Sequence, residues 1–204
     1  MGTNITWKVT DSGGTIQCSG TGTATLAQFN NPSCSQISIL DGGQGAAKIT
    51  AIDGGADILK LENTKIRANA NIVNWHLIIE KDFNPGPQGG NWWYKTAIVG
   101  TLNNTDPSNA ISVTTQMFNP LGTLNTNSTL SVSASESQPF NKFAGPQVNP
   151  ALNNQARKII VNLTMTLKNT HTVDFSLAGN LIQVIAQNTQ PFIPPNKKGE
   201  GYKA

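Results

Sequence analysis

The sequence predicts an all-β protein: an antiparallel β-sandwich of jelly-roll or immunoglobulin-like type, with about ten to twelve short strands. Composition gives the first reason. The 204 residues include 24 Asn, 22 Thr and 19 Gly, and Thr favours strands while Asn and Gly favour turns. Patterning gives the second, because apolar and polar residues alternate with a period of two in segment after segment. The third is the lack of any sustained 3.6-residue apolar period.

The elements follow in order. "NITWKVT" puts Ile5, Trp7 and Val9 on one face. Shorter strand candidates lie at 22–27, 36–40, 47–52 and 57–62. "IVNWHLIIE" directs Val73, Trp75, Leu77 and Ile79 inward, and a further candidate covers 95–102. "ISVTTQM" groups Ile111, Val113, Thr115 and Met117, and 129–134 is the next candidate. The stretch 135–156 reads as a long loop, in which "NPALNNQA" is the best helix candidate because Pro150 can open a turn.

"VNLTMTL" then aligns Val161, Leu163, Met165 and Leu167, and "TVDFSL" aligns Val173, Phe175 and Leu177. With "KNTH" between them, 159–177 reads as a β-hairpin, and "NLIQVIA" continues the meander. Alternation stops near residue 190. The expected organisation is one sandwich domain over 1–190 and an extended, mobile tail over 191–204. Pro191, Pro194 and Pro195 cannot donate to a ladder. Phe192, Ile193 and Tyr202 are the apolar anchors if the tail docks on a neighbouring subunit.

Charged residues make up only 12% of the chain, against about 25% in an ordinary soluble domain. The net charge of +3 comes from scattered residues, with Lys197-Lys198 the one notable pair, so no nucleic-acid partner is expected. No apolar run approaches the ~18 residues of a membrane span, and no signal peptide is visible. "MGTNITWKV" reads as a start placed on a mature sequence, although Gly2 and Thr6 also fit the myristoylation pattern. The triplets at Asn4, Asn103, Asn127 and Asn162 are glycosylation sequons. Cys18 and Cys34 lie in polar surroundings outside any CxxC pair, so a disulfide is expected, and with it an extracellular or cell-surface setting.

Signals for catalysis are thin. His76 falls on the strand face opposite Trp75, and His171 falls in a turn. Two histidines do not make a triad or a multi-histidine metal site. Glu80 and Asp82, at a strand end, are the best carboxylates for an all-β hydrolase. "DGGQG" from Asp41 and "DGGAD" with Asp53 and Asp57 read as β-turns, and Asp53 and Asp57 are the candidate calcium ligands. No other cofactor is expected.

"GGNWWYK" places Trp92, Trp93 and Tyr94 together at a loop edge. Alternation sends Trp92 and Tyr94 one way and Trp93 the other, so at least one ring should lie outward. Core packing, a protein interface and a sugar-binding platform all remain open for these rings.

The order "WWYKTAIVGTLNNTDPSNAISVTTQM" followed by "RKIIVNLTMTLKNTHTVDFSLAGNLIQVIA" resembles secreted bacterial β-sandwich proteins of the PEP-CTERM, exosortase-sorted kind. The likeness covers half the chain, and the Pro-Glu-Pro signal, the apolar anchor and the terminal basic cluster are absent. It implies a secreted surface protein and carries over no site residues. The expectation is therefore a non-catalytic structural or adhesive protein of a cell surface, filament or matrix, associating with itself or with other surface proteins. The alternative is a carbohydrate-binding module that uses the three aromatics, with polysaccharide as partner.

Overall fold

A computed structural model describes residues 4–54, 56–84, 91–102, 106–119, 121–149, 156–177, 179 and 181–189. Alternating apolar residues leave each strand with one face to bury, and the chain does so by packing two antiparallel sheets on each other. Among the described residues there are sixteen strands and no helix. The strand count exceeds the expectation because several strands have only two to five residues.

The smaller sheet has six strands: β1 (Thr6–Thr10), β2 (Ile16–Thr21), β9 (Ile72–Phe83), β11 (Ala110–Phe118), β12 (Leu124–Ser133) and β14 (Arg157–Leu167). Their order is β12-β11-β14-β9-β1-β2. The larger sheet has ten: β3 (Leu26–Gln28), β4 (Ser33–Cys34), β5 (Ile37–Asp41), β6 (Lys48–Ile52), β7 (Ala56–Glu62), β8 (Thr64–Ala68), β10 (Asn91–Leu102), β13 (Phe140–Asn149), β15 (Thr172–Phe175) and β16 (Leu181–Thr189). Its path is β3-β6-β7-β16-β10-β15-β8-β5-β4, and β13 also pairs with β10.

Ile5, Trp7, Val9, Leu77, Ile79, Val113, Met117, Leu163 and Met165 are buried from one side, as alternation requires. Leu59, Leu61, Ile98, Ile182 and Val184 meet them from the other. Each such side chain contributes about 1.5–3 kcal/mol of transfer free energy. Gly20 is required by close packing here, since a Cβ would lie 2.7 Å from the Trp7 indole.

Several expectations are corrected. The segment 159–177 is not a hairpin. β14 lies between β11 and β9 in the smaller sheet, whereas β15 pairs with β8 and β10 in the larger one. "KNTH" is therefore a crossover between sheets, and β16 pairs with β7 and β10 instead of continuing a meander. The expected loop 135–156 contains β13, whose register with β10 shifts between Tyr94 and Thr96. Gly145 and Pro146 in that strand hid its period. Val73 is exposed and Ile72 buried, because Asn74 has φ 51° and the register to β14 shifts there.

Both edges of the smaller sheet are tied to the larger. Cys18 of β2 and Cys34 of β4 form a disulfide with Cα atoms 5.3 Å apart. At the opposite edge, Lys142 of β13 donates from Nζ to the Ser131 carbonyl of β12 at 2.5 Å and pairs with Glu136. These links fasten the two edge strands to the larger sheet. The tail residues Phe192, Ile193 and Tyr202 lie outside the described residues, as do positions 150–155 of the helix candidate 149–156, whose first residue, Asn149, ends β13.

Candidate functional site

The outer face of the six-stranded sheet carries a groove built by strand register. Outward side chains of five strands line up in rows across it. Phe118 stands beside Lys158, and Lys158 beside Asp82. In the next row Ile160, Glu80, Thr6 and Thr21 are successive partners, and in the next Ile78, Lys8 and Ser19. A depression of about 590 Å³ is lined by Phe118, Asn119, Gly122, Lys158, Ile160 and Asp82. It shares Asp82 and Lys158 with a second of about 440 Å³. That one shares Thr6, Thr21 and Glu80 with a third of about 380 Å³ reaching Lys8, Ile16 and Ser19. The first two together cross β11, β14, β9, β1 and β2, and the third lies beside the second along β9, β1 and β2.

One end is shaped by the turn after β11. The Asn119 Oδ1 accepts from the backbone N–H groups of Leu121 at 3.0 Å and Thr123 at 2.9 Å. Gly122 takes φ 77°, a left-handed conformation that an L side chain resists. Charge along the groove is balanced. Lys158 Nζ lies 4.0 Å from Glu80 Oε2 and 3.9 Å from Asp82 Oδ1. Both contacts are long and partly exposed.

Glu80 and Asp82 are not arranged as a glycosidase pair. They sit two residues apart on one strand and point to the same side, beside the same lysine. Glycoside hydrolysis needs carboxyl groups flanking the scissile bond. Their side chains also keep 30% and 41% of their exposure.

Tyr94 is buried on the inner face of β10, which removes it from the expected platform. A bulky ring beside Thr96 and Ile98 fills the space between the sheets. Burial raises the Tyr94 phenol above its ordinary pKa. Beside it, the hydroxyls of Thr96, Thr115 and Ser128 form a closed buried triangle with sides of 2.7, 2.8 and 2.8 Å. Trp93 is half-buried on the outer face of the larger sheet. The Trp92 side chain lies outside the described residues.

Asp57 is no loop ligand for calcium either. It is fully buried and paired with Arg157. Asp53 Oδ2 accepts from the backbone N–H and the side-chain amide of Asn84, at 3.1 and 2.7 Å. Among the described residues no group of three or more Asp, Glu, His or Cys side chains could hold a metal ion. His76 Nδ1 lies 3.1 Å from the Thr164 hydroxyl and 3.2 Å from Asn162 Oδ1 on the outer face of the smaller sheet. His171 contacts Asn109.

The groove's other residues were not legible as a site. Glu80 and Asp82 stood out as acids, but Phe118, Lys158 and Thr6 join them only through strand order. The outward parity of "TWKVT", "LIIEKD" and "RKIIVN" was the available signal, and it names faces without naming neighbours.

No family model matches the chain, and no curated protein matches it in sequence. Solved structures match at low identity. TmCBM61, solved with β-1,4-galactotriose, is similar at 7% identity with a TM-score of 0.34, covering 78% of this chain and 85% of that one. CsCBM6-3 from Clostridium stercorarium, solved with cellobiose, is 15% identical with a TM-score of 0.29, covering 81% and 94%. A structure of infectious bursal disease virus, Gt strain, is 8% identical with a TM-score of 0.43, covering 92% of this chain and 51% of that one. At these scores the likenesses carry no argument about what this chain binds.

Proposed function

We propose that this chain is a non-catalytic binding domain that takes a neutral polysaccharide along the groove of its smaller sheet. The observation that carries the proposal is the continuous row of depressions across five strands. Four strand spacings of about 4.8 Å give a length near 19 Å, room for about three or four sugar units. The lining suits such a ligand. Thr6, Ser19, Thr21, Glu80 and Asp82 offer hydroxyl and carboxylate acceptors, and Lys8 and Lys158 offer donors. Phe118 and Ile160 present apolar surface to a pyranose C–H face. Lys8 and Lys158 offset Glu80 and Asp82, which favours an uncharged polymer.

An extracellular site of action goes with this proposal, since a structural disulfide persists in oxidising compartments. A matrix or surface role then works through bound polymer. No observation among the described residues supports strand addition as a route to self-association.

Affinity electrophoresis tests the reading. Native gels containing galactan, xylan, mannan or mixed-linkage glucan should retard the protein with at least one polymer. Phe118→Ala and Glu80→Gln should each weaken that retardation by about tenfold, the loss of one good contact. Their melting temperatures should stay within a few degrees of the parent. Retardation by none of the polymers, or retardation unchanged in both variants, would overturn the groove as the site.

A further inference from the structure

We propose that the outer face of the ten-stranded sheet is a second binding site, for an acidic polysaccharide. Outward residues of β7, β8 and β10 include Lys60, Lys65, Arg67 and Lys95, and β6 adds Lys48. Glu62 pairs with Lys48 at 3.4 Å, and Asp174 pairs with Lys65 at 3.0 Å. Lys60, Lys95 and Arg67 have no carboxylate partner among the described residues. The part of this face over β7, β16 and β10 therefore holds two cations, Lys60 and Lys95, without a carboxylate partner among the described residues, with Arg67 further along on β8, while the groove across the opposite sheet is balanced.

Register places apolar surface between these cations. Lys95 stands beside Ile185, Ile185 beside Ile58, and Ile58 beside Ile52. Ile52 is 47% exposed. Ala97 stands opposite Phe143, which is 68% exposed, and Lys95 Nζ lies 5.8 Å from the centre of its ring. Trp93 projects on the same side, two residues before Lys95. The exposed phenyl thus carries an ammonium over its ring and lies on the same face as the exposed Ile52. Together they fit a ring that is apolar on its face and anionic at its rim.

Spacing favours a uronate polymer over nucleic acid. Lys60 and Lys95 lie two strands apart and two residues offset, about 12 Å between Cα atoms. That separation spans about two or three sugar units, so two carboxylates of a uronate chain reach both cations. A phosphate backbone carries charge more densely and binds clustered cations. With a neutral polymer on one sheet and an acidic one on the other, one copy of the chain can bridge two polymers.

The probe is polygalacturonate in native affinity gels, with its fully methyl-esterified form as the uncharged control. The full chain should be retarded by the acid form at low salt, lose that retardation at high salt, and be retarded much less by the ester. The double variant Lys60→Gln/Lys95→Gln should bind about tenfold more weakly, from two partly exposed charge contacts. Phe143→Ala should also weaken binding, and Phe118→Ala should leave it unchanged. Mobilities are referred to polymer-free gels, so altered net charge does not enter. No retardation by polygalacturonate overturns the proposal, as does equal retardation by its ester or an unchanged double variant. Tighter binding to single-stranded DNA or to vesicles of anionic lipid overturns it in favour of those ligands. Because neutral polymers report on the groove separately, either site can fail without the other.

Discussion

Arg157 reaches across the interior to Asp57, with its Nε 2.5 Å from the Asp57 Oδ2 and both side chains fully buried. The pair joins β14 of the smaller sheet to β7 of the larger. The Arg157 Nη2 also donates to the Asn84 carbonyl at 2.9 Å. Among the described residues Asp57 Oδ1 has no hydrogen-bond partner, so the pair is engaged chiefly through one oxygen. Lys81 is buried too, with its Nζ donating to the Asp82 carbonyl and lying 5.0 Å from the centre of the Phe83 ring.

Breaking this pair from one side should be severe. Arg157→Met leaves a buried carboxylate unpaired and should cost about 3–5 kcal/mol in urea unfolding. The double replacement Asp57→Leu/Arg157→Met should recover most of that loss, since a packed apolar pair replaces a desolvated ionic one at little net cost. A double variant as unstable as the single one would show that the pair's value lies elsewhere.

The same pair sets a pH dependence. Burial pushes the Asp57 carboxyl up from 3.8 to about 6, against the opposing pull of Arg157, and Asp53 adds to the rise. Between these values the folded chain holds a proton that the unfolded chain has released. The stability from that proton is fully present below about pH 4 and is lost as pH rises through about 6. Relative to Asp57→Asn, the parent should therefore lose stability from pH 4 to pH 6. Parallel curves for the two proteins would contradict this.

The disulfide should matter for the edge more than for the core. Cys18 and Cys34 are 16 residues apart, and a loop of that size contributes about 3 kcal/mol on the chain-entropy account. Cys18→Ser/Cys34→Ser should lower the unfolding midpoint accordingly. Hydrogen exchange should rise in β2 and β4 while β9 and β14 stay protected. Intact mass without reductant should show no alkylatable thiol in the parent.

The hydroxyl triangle of Thr96, Thr115 and Ser128 should behave as a unit. Thr115→Val keeps the shape but strips a partner from two buried hydroxyls, which should cost about 1–3 kcal/mol. Adding Thr96→Val should cost less than a second independent loss, because little of the network remains to break. Simple additivity would show that the three hydroxyls are not coupled.

Much of the fold was legible in the sequence because burial enforces a period of two. Ile111, Val113 and Met117 read as a buried face and are one. What alternation cannot supply is the partner. β14 and β15 each had the right pattern, and a four-residue link suggested a hairpin, yet each pairs in a different sheet. The destination of Arg157, 100 positions from Asp57, is invisible for the same reason. Bulges at Asn74 and beside Tyr94 inverted or masked the local period. The aromatic cluster was visible as composition, but the sandwich interior took Tyr94, and the exposed ring described on the outer face of the larger sheet is Phe143, from a strand that glycine and proline had disguised.

The groove is the central claim, and amide chemical-shift mapping during titration with an oligosaccharide tests it most directly. The ligand is a fragment of whichever neutral polymer retards the protein most. The account predicts saturable shifts concentrated at residues 6–8, 78–82, 118–119 and 158–160, and little change in β7, β10 and β16. Shifts centred on the outer face of the ten-stranded sheet, or no saturable shifts with any neutral fragment, would contradict it.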